Sequence, residues 1–213
     1  MTAATDALLA HARRAPVIPV VTIDDPARAV PLAETLVASG LPVVEVTLRT
    51  PKALDAIAAI ARSVPDAIVA AGTVLRPDQI APVADAGARF IVTPGTPRSL
   101  AEALAESPVP AMPGCATVSE AMALAELGFT ALKFFPAEAS GGAAWLKGVA
   151  GPLPQLSFCP TGGVDPANAA AYLGLPNVLC VGGTWVAPAA AIAAGEFGRI
   201  GELARAAAAL RPA

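Results

Sequence analysis

Apolar positions fall along this chain in two alternating patterns. Short runs rich in valine and isoleucine, apolar at nearly every position, recur eight times: PVIPVV from Pro16, PVVEVTL from Pro42, DAIVAAGT from Asp66, ARFIVTPG from Ala88, PVPAMPG from Pro108, FTALKFFP from Phe129, QLSFCPTGG from Gln155 and NVLCVGGT from Asn177. Their starts lie 20 to 26 residues apart. Between them run Ala- and Leu-rich segments with a helical period, such as DPARAVPLAETLVASG and RPDQIAPVADAGA, each closing near a glycine where a helix C-terminal cap belongs. Apolar strands alternating with helices predict a parallel sheet covered by helices. Eight such units, with a short amphipathic helix in MTAATDALLAHARRAP ahead of them, predict an α/β fold of the (β/α)8 TIM-barrel type with an extra N-terminal helix. A doubly wound open sheet is the alternative, but it uses fewer units, and no G-x-G-x-x-G follows the first strand. No segment is long enough to act as a linker, so residues 1–213 are expected to form a single domain.

Composition narrows the partners. The chain is 55% hydrophobic and 15% charged, with a net charge of -3 and no basic stripe, which argues against nucleic acid or an anionic membrane surface. Pro166 to Gly195 carries no charge, but Asn168, Pro176, Asn177, Gly182, Gly183 and Pro188 break it into pieces too short to span a bilayer. The N-terminus lacks the apolar core of a signal peptide, so a cytoplasmic protein is expected. Cys115, Cys159 and Cys180, odd in number and widely spaced, read as reduced core thiols. His11 is the only histidine, which excludes a Ser-His-Asp triad and any metal site built on several histidines.

In a barrel the chemistry sits where the strands end. The second run ends EVTLRT, and a period of two puts Glu45, Thr47 and Arg49 on one face. The third ends at Gly72-Thr73, the fourth at Pro94-Gly95 and the fifth at Pro113-Gly114. The sixth places Lys133 and Phe135 on one face, the seventh ends Thr161-Gly162-Gly163 and the eighth Gly182-Gly183-Thr184. An inward glutamate requires a partner, and Arg49 is a candidate for a purely structural ion pair. The glycine pairs read either as plain turns or as a backbone cradle for phosphate. Glu120 and Glu138 lie outside the strand runs and read as solvated acids. Of the three lysines, Lys52 opens a helix and Lys147 sits on a helix surface; Lys133 alone is on a strand. It either snorkels out at the strand end or, among phenylalanines and near Arg49, serves as a nucleophile.

The segments EVTLRT, AGTVL, KFFPAE, PTGG and GGTW, in this order and spacing, resemble the class I 2-keto-3-deoxy-6-phosphogluconate (KDPG) aldolases of the Entner–Doudoroff route. The resemblance runs from the first strand to the eighth. It implies a homotrimeric (β/α)8 barrel without metal or cofactor, splitting a phosphorylated 2-keto-3-deoxy sugar acid into pyruvate and glyceraldehyde 3-phosphate. Carried over, it makes Lys133 the Schiff-base residue and Glu45 the general acid/base. Arg49 and Thr73 would hold the pyruvoyl carboxylate, Pro94 and Phe135 would wall that pocket, and Thr161 would meet the substrate hydroxyls. Gly162, Gly163, Gly183 and Thr184 would cradle the phosphate; Thr184 stands where the family often has Ser, and the hydroxyl is kept. Two rivals fit the same residues: a sugar-phosphate isomerase or epimerase with Glu45 as base, and a silent barrel that binds a phosphorylated ligand.

Overall fold

The computed structural model describes residues 3–210, and over that span the chain alternates helix and strand. The helices are α1 (Ala3–Ala12), α2 (Ala29–Ala38), α3 (Ala53–Ser63), α4 (Ile80–Asp85), α5 (Arg98–Ala105), α6 (Val118–Glu126), α7 (Gly142–Val149), α8 (Ala169–Leu173), α9 (Ala189–Ala194) and α10 (Phe197–Ala208). The strands are β1 (Val17–Val21), β2 (Val43–Thr47), β3 (Ile68–Gly72), β4 (Phe90–Val92), β5 (Ala111–Met112), β6 (Gly114–Cys115), β7 (Ala131–Phe134), β8 (Ser157–Pro160) and β9 (Val181–Gly183). Local chemistry sets the boundaries. Asp25 accepts the Ala27 N–H at 3.0 Å and Pro26 opens a 3-10 turn that runs into α2; Pro77 opens the equivalent turn before α4. Gly40 and Gly87 then end these two helices at φ 88° and 89°, values that favour glycine.

All strand pairs are parallel. They form a six-stranded sheet in the order β5-β4-β3-β2-β1-β9 and a three-stranded sheet β6-β7-β8. The expected fifth strand is thus two pieces. Pro113 separates them because it has no N–H to give the ladder, although its carbonyl still accepts the Lys133 N–H at 2.9 Å. The eighth run pairs less than expected: only Val181–Gly183 is regular strand, with isolated parallel bridges Phe158–Val178 and Thr161–Gly182 beside it.

Alternation along the strands sorts the core into two clusters. Val44, Val46, Val69, Ile91, Leu132, Phe134, Phe158 and Val181 belong to the larger one, with Leu32, Leu36, Ile57, Ile60, Leu100 and Leu146 of the helices. There Trp145 stacks on Phe134 at 4.3 Å between centroids and meets Phe158 edge-on at 5.6 Å, seating α7 on β7 and β8. The smaller cluster joins the opposite strand faces, with Ile18, Val43, Ile68, Phe90, Met112, Ala131, Cys159 and Cys180, to Leu8 and Ala12 of α1. Each fully buried Leu or Ile contributes roughly 1.5–3 kcal/mol, so α1 is a substantial lid on the N-terminal strand ends. Small side chains let helices approach closely: a Cβ on Gly40 would lie 3.3 Å from that of Ala208 in α10. The three cysteines are free and buried, as expected. Among the described residues no helix is long and apolar enough to cross a membrane.

Candidate active site

The period of two that sends Val44 and Val46 toward the helices turns Glu45 and Thr47 to the other side of β2. In β7 the same rule sends Leu132 and Phe134 outward and Lys133 inward. Glu45 is registered between Val20 of β1 and Ala70 of β3, and Lys133 between Gly114 of β6 and Cys159 of β8. From these two strands the side chains meet: Lys133 Nζ donates to Glu45 Oε1 at 3.1 Å, with 5% and 3% of the two residues exposed. Lys133 therefore does not snorkel. The phenylalanine surroundings are thinner than the sequence implies, because Phe134 faces the helices. Only Phe135 stands over the amine, its ring centroid 5.4 Å from Nζ.

Arg49 is not the partner of Glu45. The strand period ends at Thr47, whose hydroxyl is drawn to the Val21 carbonyl at 2.9 Å and to Thr22 Oγ1 at 2.9 Å. Leu48 N–H then bonds to Gly72 O, and Thr50 anchors the turn on Ile23 O at 2.7 Å. Arg49 sits exposed on that turn, with no ion pair among the described residues.

Gly72 makes room for the carboxylate, since a Cβ there would stand 2.6 Å from Glu45 Cγ. The next residue, Thr73, takes φ 59°, a left-handed conformation that costs a β-branched residue about 1–3 kcal/mol. Arg49, Thr73, Pro94, Phe135, Thr161, Gly162, Gly163 and Thr184 line, with Lys133, a cavity of about 80 Å³. Glu45 is reached through its bond to Lys133 and does not itself line the cavity.

Gly183 is not in the cavity lining, and a Cβ on it would run into the Trp185 ring. Its neighbour Gly182 lines the cavity instead, where a Cβ would collide with the Thr161 hydroxyl. Val20 and Val164 complete the lining. The period of two in PVIPVV signals Val20, whereas Val164 lies in a loop without pattern. Gly162 and Gly163 both take positive φ, 93° and 79°, and among the described residues the N–H groups of Gly163 and Val164 meet no acceptor. Successive N–H groups left open in such turns make a concavity suited to an anion.

The two acids read as solvated have duties. Glu120 caps α6, accepting the N–H groups of Ala116 and Thr117 at 2.8 and 3.0 Å; the Ala116 bond leads in holding its carboxyl below the usual value. Glu138 is exposed, as expected, yet accepts a hydrogen bond from the Tyr172 hydroxyl. Below the pocket, the hydrogen bond to Cys159 and burial push the Cys180 thiol well above its ordinary range, keeping it an unreactive filler.

Comparison with known proteins is consistent with this geometry. Residues 8–203 match the family described as "Aldolase: KDPG and KHG aldolase". The KHG/KDPG aldolase of Escherichia coli (strain K12) is 53% identical over 190 residues, 89% of each chain. A crystal structure of KDPG aldolase from Legionella pneumophila, with pyruvate captured at low pH as a covalent carbinolamine intermediate, superposes with a TM-score of 0.91 at 46% identity, covering 94% of this chain and 97% of that one. The 2-keto-3-deoxy-6-phosphogluconate aldolase of Zymomonas mobilis ZM4 with 3-phosphoglycerate gives 0.91 at 44% identity and covers 99% of both chains. Agreement of this extent, in sequence and in backbone alike, means that the chain belongs to the KDPG and KHG aldolase family.

Proposed function

We propose that the protein cleaves 2-keto-3-deoxy-6-phosphogluconate to pyruvate and glyceraldehyde 3-phosphate through a Schiff base on Lys133. The buried Lys133–Glu45 pair beneath the cavity carries the assignment. Lys133 Nζ adds to the C2 ketone, and loss of water from the carbinolamine gives an iminium that withdraws electrons from C3. Glu45, through a water, takes the C4 hydroxyl proton; the C3–C4 bond breaks, its electron pair forms the enamine, and the aldehyde leaves. Protonation at C3 and hydrolysis release pyruvate and the free amine. Arg49 and Thr73 bind the pyruvoyl carboxylate, Pro94 and Phe135 flank it, Thr161 meets the hydroxyls, and the N–H groups of Gly162 and Gly163 with the Thr184 hydroxyl receive the phosphate. Gly183 acts there through its backbone alone. The E. coli relative is named for KHG as well, and 4-hydroxy-2-ketoglutarate offers this site the same pyruvoyl half.

At the level of architecture we read the two sheets as one closed (β/α)8 barrel in a single domain with α1 as its extra helix. The split of a single segment at Pro113 and the bridges between β8 and the β9 segment support closure. We assign the protein to the cytoplasm as a homotrimer on the family resemblance; the exposed Leu75, Val118, Met122 and Leu127 supply apolar surface for a subunit contact.

Borohydride reduction in the presence of pyruvate tests the chemistry. The expected product is a stable adduct on the peptide carrying Lys133, absent from Lys133→Ala. No adduct, or one on Lys52 or Lys147, overturns the assignment.

A further inference from the structure

The loop that carries Gly162 and Gly163 is held from behind. Three successive carbonyls are engaged: Thr161 O accepts from Ala137 N at 2.8 Å, Gly162 O from Glu138 N at 3.1 Å, and Gly163 O from Asn168 Nδ2 at 2.9 Å. In a trans peptide the N–H points opposite to the carbonyl. Fixing these three carbonyls therefore aims the N–H groups of Gly162, Gly163 and Val164 the other way. All three residues line the cavity, and among the described residues the N–H groups of Gly163 and Val164 have no acceptor.

Two of the three donors behind the loop come from the turn after β7, and Glu138 is the fixed point of that turn. Its aliphatic stem lies against the loop so closely that a Cβ on Gly163 would stand 2.6 Å from both Glu138 Cβ and Cγ. Its carboxylate accepts from the hydroxyl of Tyr172, a residue of α8 that is fully buried. Burial first, and the Glu138 carboxylate second, push the Tyr172 phenol above its ordinary range, so it remains a donor. That donor also draws off part of the charge that a carboxylate behind the loop would otherwise set against a bound dianion.

We propose that Glu138, locked by Tyr172, is a positioning residue that sets the preference of this site for a phosphorylated substrate. The pair contacts neither the reacting carbons nor the pyruvoyl pocket; it pre-shapes the N–H cradle, which rests on the aldolase assignment made above. The experiment compares kcat and KM for KDPG and for unphosphorylated 2-keto-3-deoxygluconate in the unmutated protein and in Tyr172→Phe, Glu138→Ala and Glu138→Gln. Loss of one partly buried hydrogen bond to a charged group corresponds to roughly a tenfold rise in KM for KDPG, expected in Tyr172→Phe and Glu138→Ala. Both should keep kcat/KM for the unphosphorylated acid, and Glu138→Gln, which retains the stem and an acceptor oxygen, should rescue the preference. A parallel fall with both substrates, or an unchanged ratio, overturns the proposal. Calorimetry with inorganic phosphate separates the two assignments. Phosphate binding that weakens about tenfold in Tyr172→Phe, in a protein that cleaves neither acid, supports the cradle and sinks only the aldolase chemistry. Unchanged phosphate affinity in Tyr172→Phe overturns the positioning role.

Discussion

A carboxylate and an ammonium removed together from water gain little net stability, because desolvation offsets their attraction. Glu45 and Lys133 are held in that condition, which fits a pair retained for reactivity. Glu45→Gln preserves the shape but accepts no proton. Cleavage should fall roughly 100- to 10,000-fold, the usual contribution of a general acid–base group, while borohydride trapping with pyruvate is reduced far less. Near-original cleavage in the variant would leave Glu45 only a counter-ion. Thr73 makes a second case. At φ 59° it is strained, so Thr73→Gly should not lower the unfolding midpoint in denaturant, yet kcat/KM should drop with the lost hydroxyl. A lower midpoint would mean that packing of Thr73 outweighs its strain. Lys133 and Glu45 were legible in the chain because each is a charged residue at an inward position of an apolar run. The Glu138–Tyr172 contact was not, since 34 residues separate the partners and nothing in the alanine-rich α8 marks its one tyrosine as a donor.

Strand geometry was legible where hydrogen bonding followed the apolar pattern, and failed where backbone chemistry overrode it. Val43 to Thr47 reads as a strand and is one. PVPAMPG reads as one strand but breaks at Pro113, and EVTLRT extends the period by eye to Arg49, past the point where Thr47 and Thr50 bend the chain onto β1. The glycines after β8 and at the end of β9 look alike in sequence but differ in direction, which only register decides. Gly162-Gly163 opens toward the cavity, whereas Gly183 backs onto Trp185. A side chain at Gly163 meets both a forbidden φ and the stem of Glu138, so Gly163→Ala should shift the loop. One charge-assisted hydrogen bond is worth roughly 1.5–3 kcal/mol, and about 1.4 kcal/mol is tenfold in rate. Gly163→Ala should therefore lose about tenfold to a hundredfold in kcat/KM on KDPG and little on the unphosphorylated acid. Equal losses on both would make the glycine an ordinary turn.

For the whole molecule, the two ends of the strands have separate tasks: α1 closes one, and the cavity with its loops occupies the other. The repeat of apolar runs made this polarity legible, because every strand of a parallel sheet points the same way. The proposed subunit association has no periodic signal in the sequence, since nothing distinguishes Leu75 or Met122 from other surface residues. Sedimentation equilibrium should give a mass of three chains, and Met122→Glu should shift the protein toward monomer; a monomer without mutation would remove the trimer. The scarcity of lysine has a practical corollary. Lys52 and Lys147 are exposed and Lys133 is enclosed, so acylating reagents and small ketones should partition between different amines of the same protein. The enzyme could thus be tethered to an amine-reactive support, or dyed, through two side chains that do not line the pocket, with pyruvate present as a reversible cap on the third.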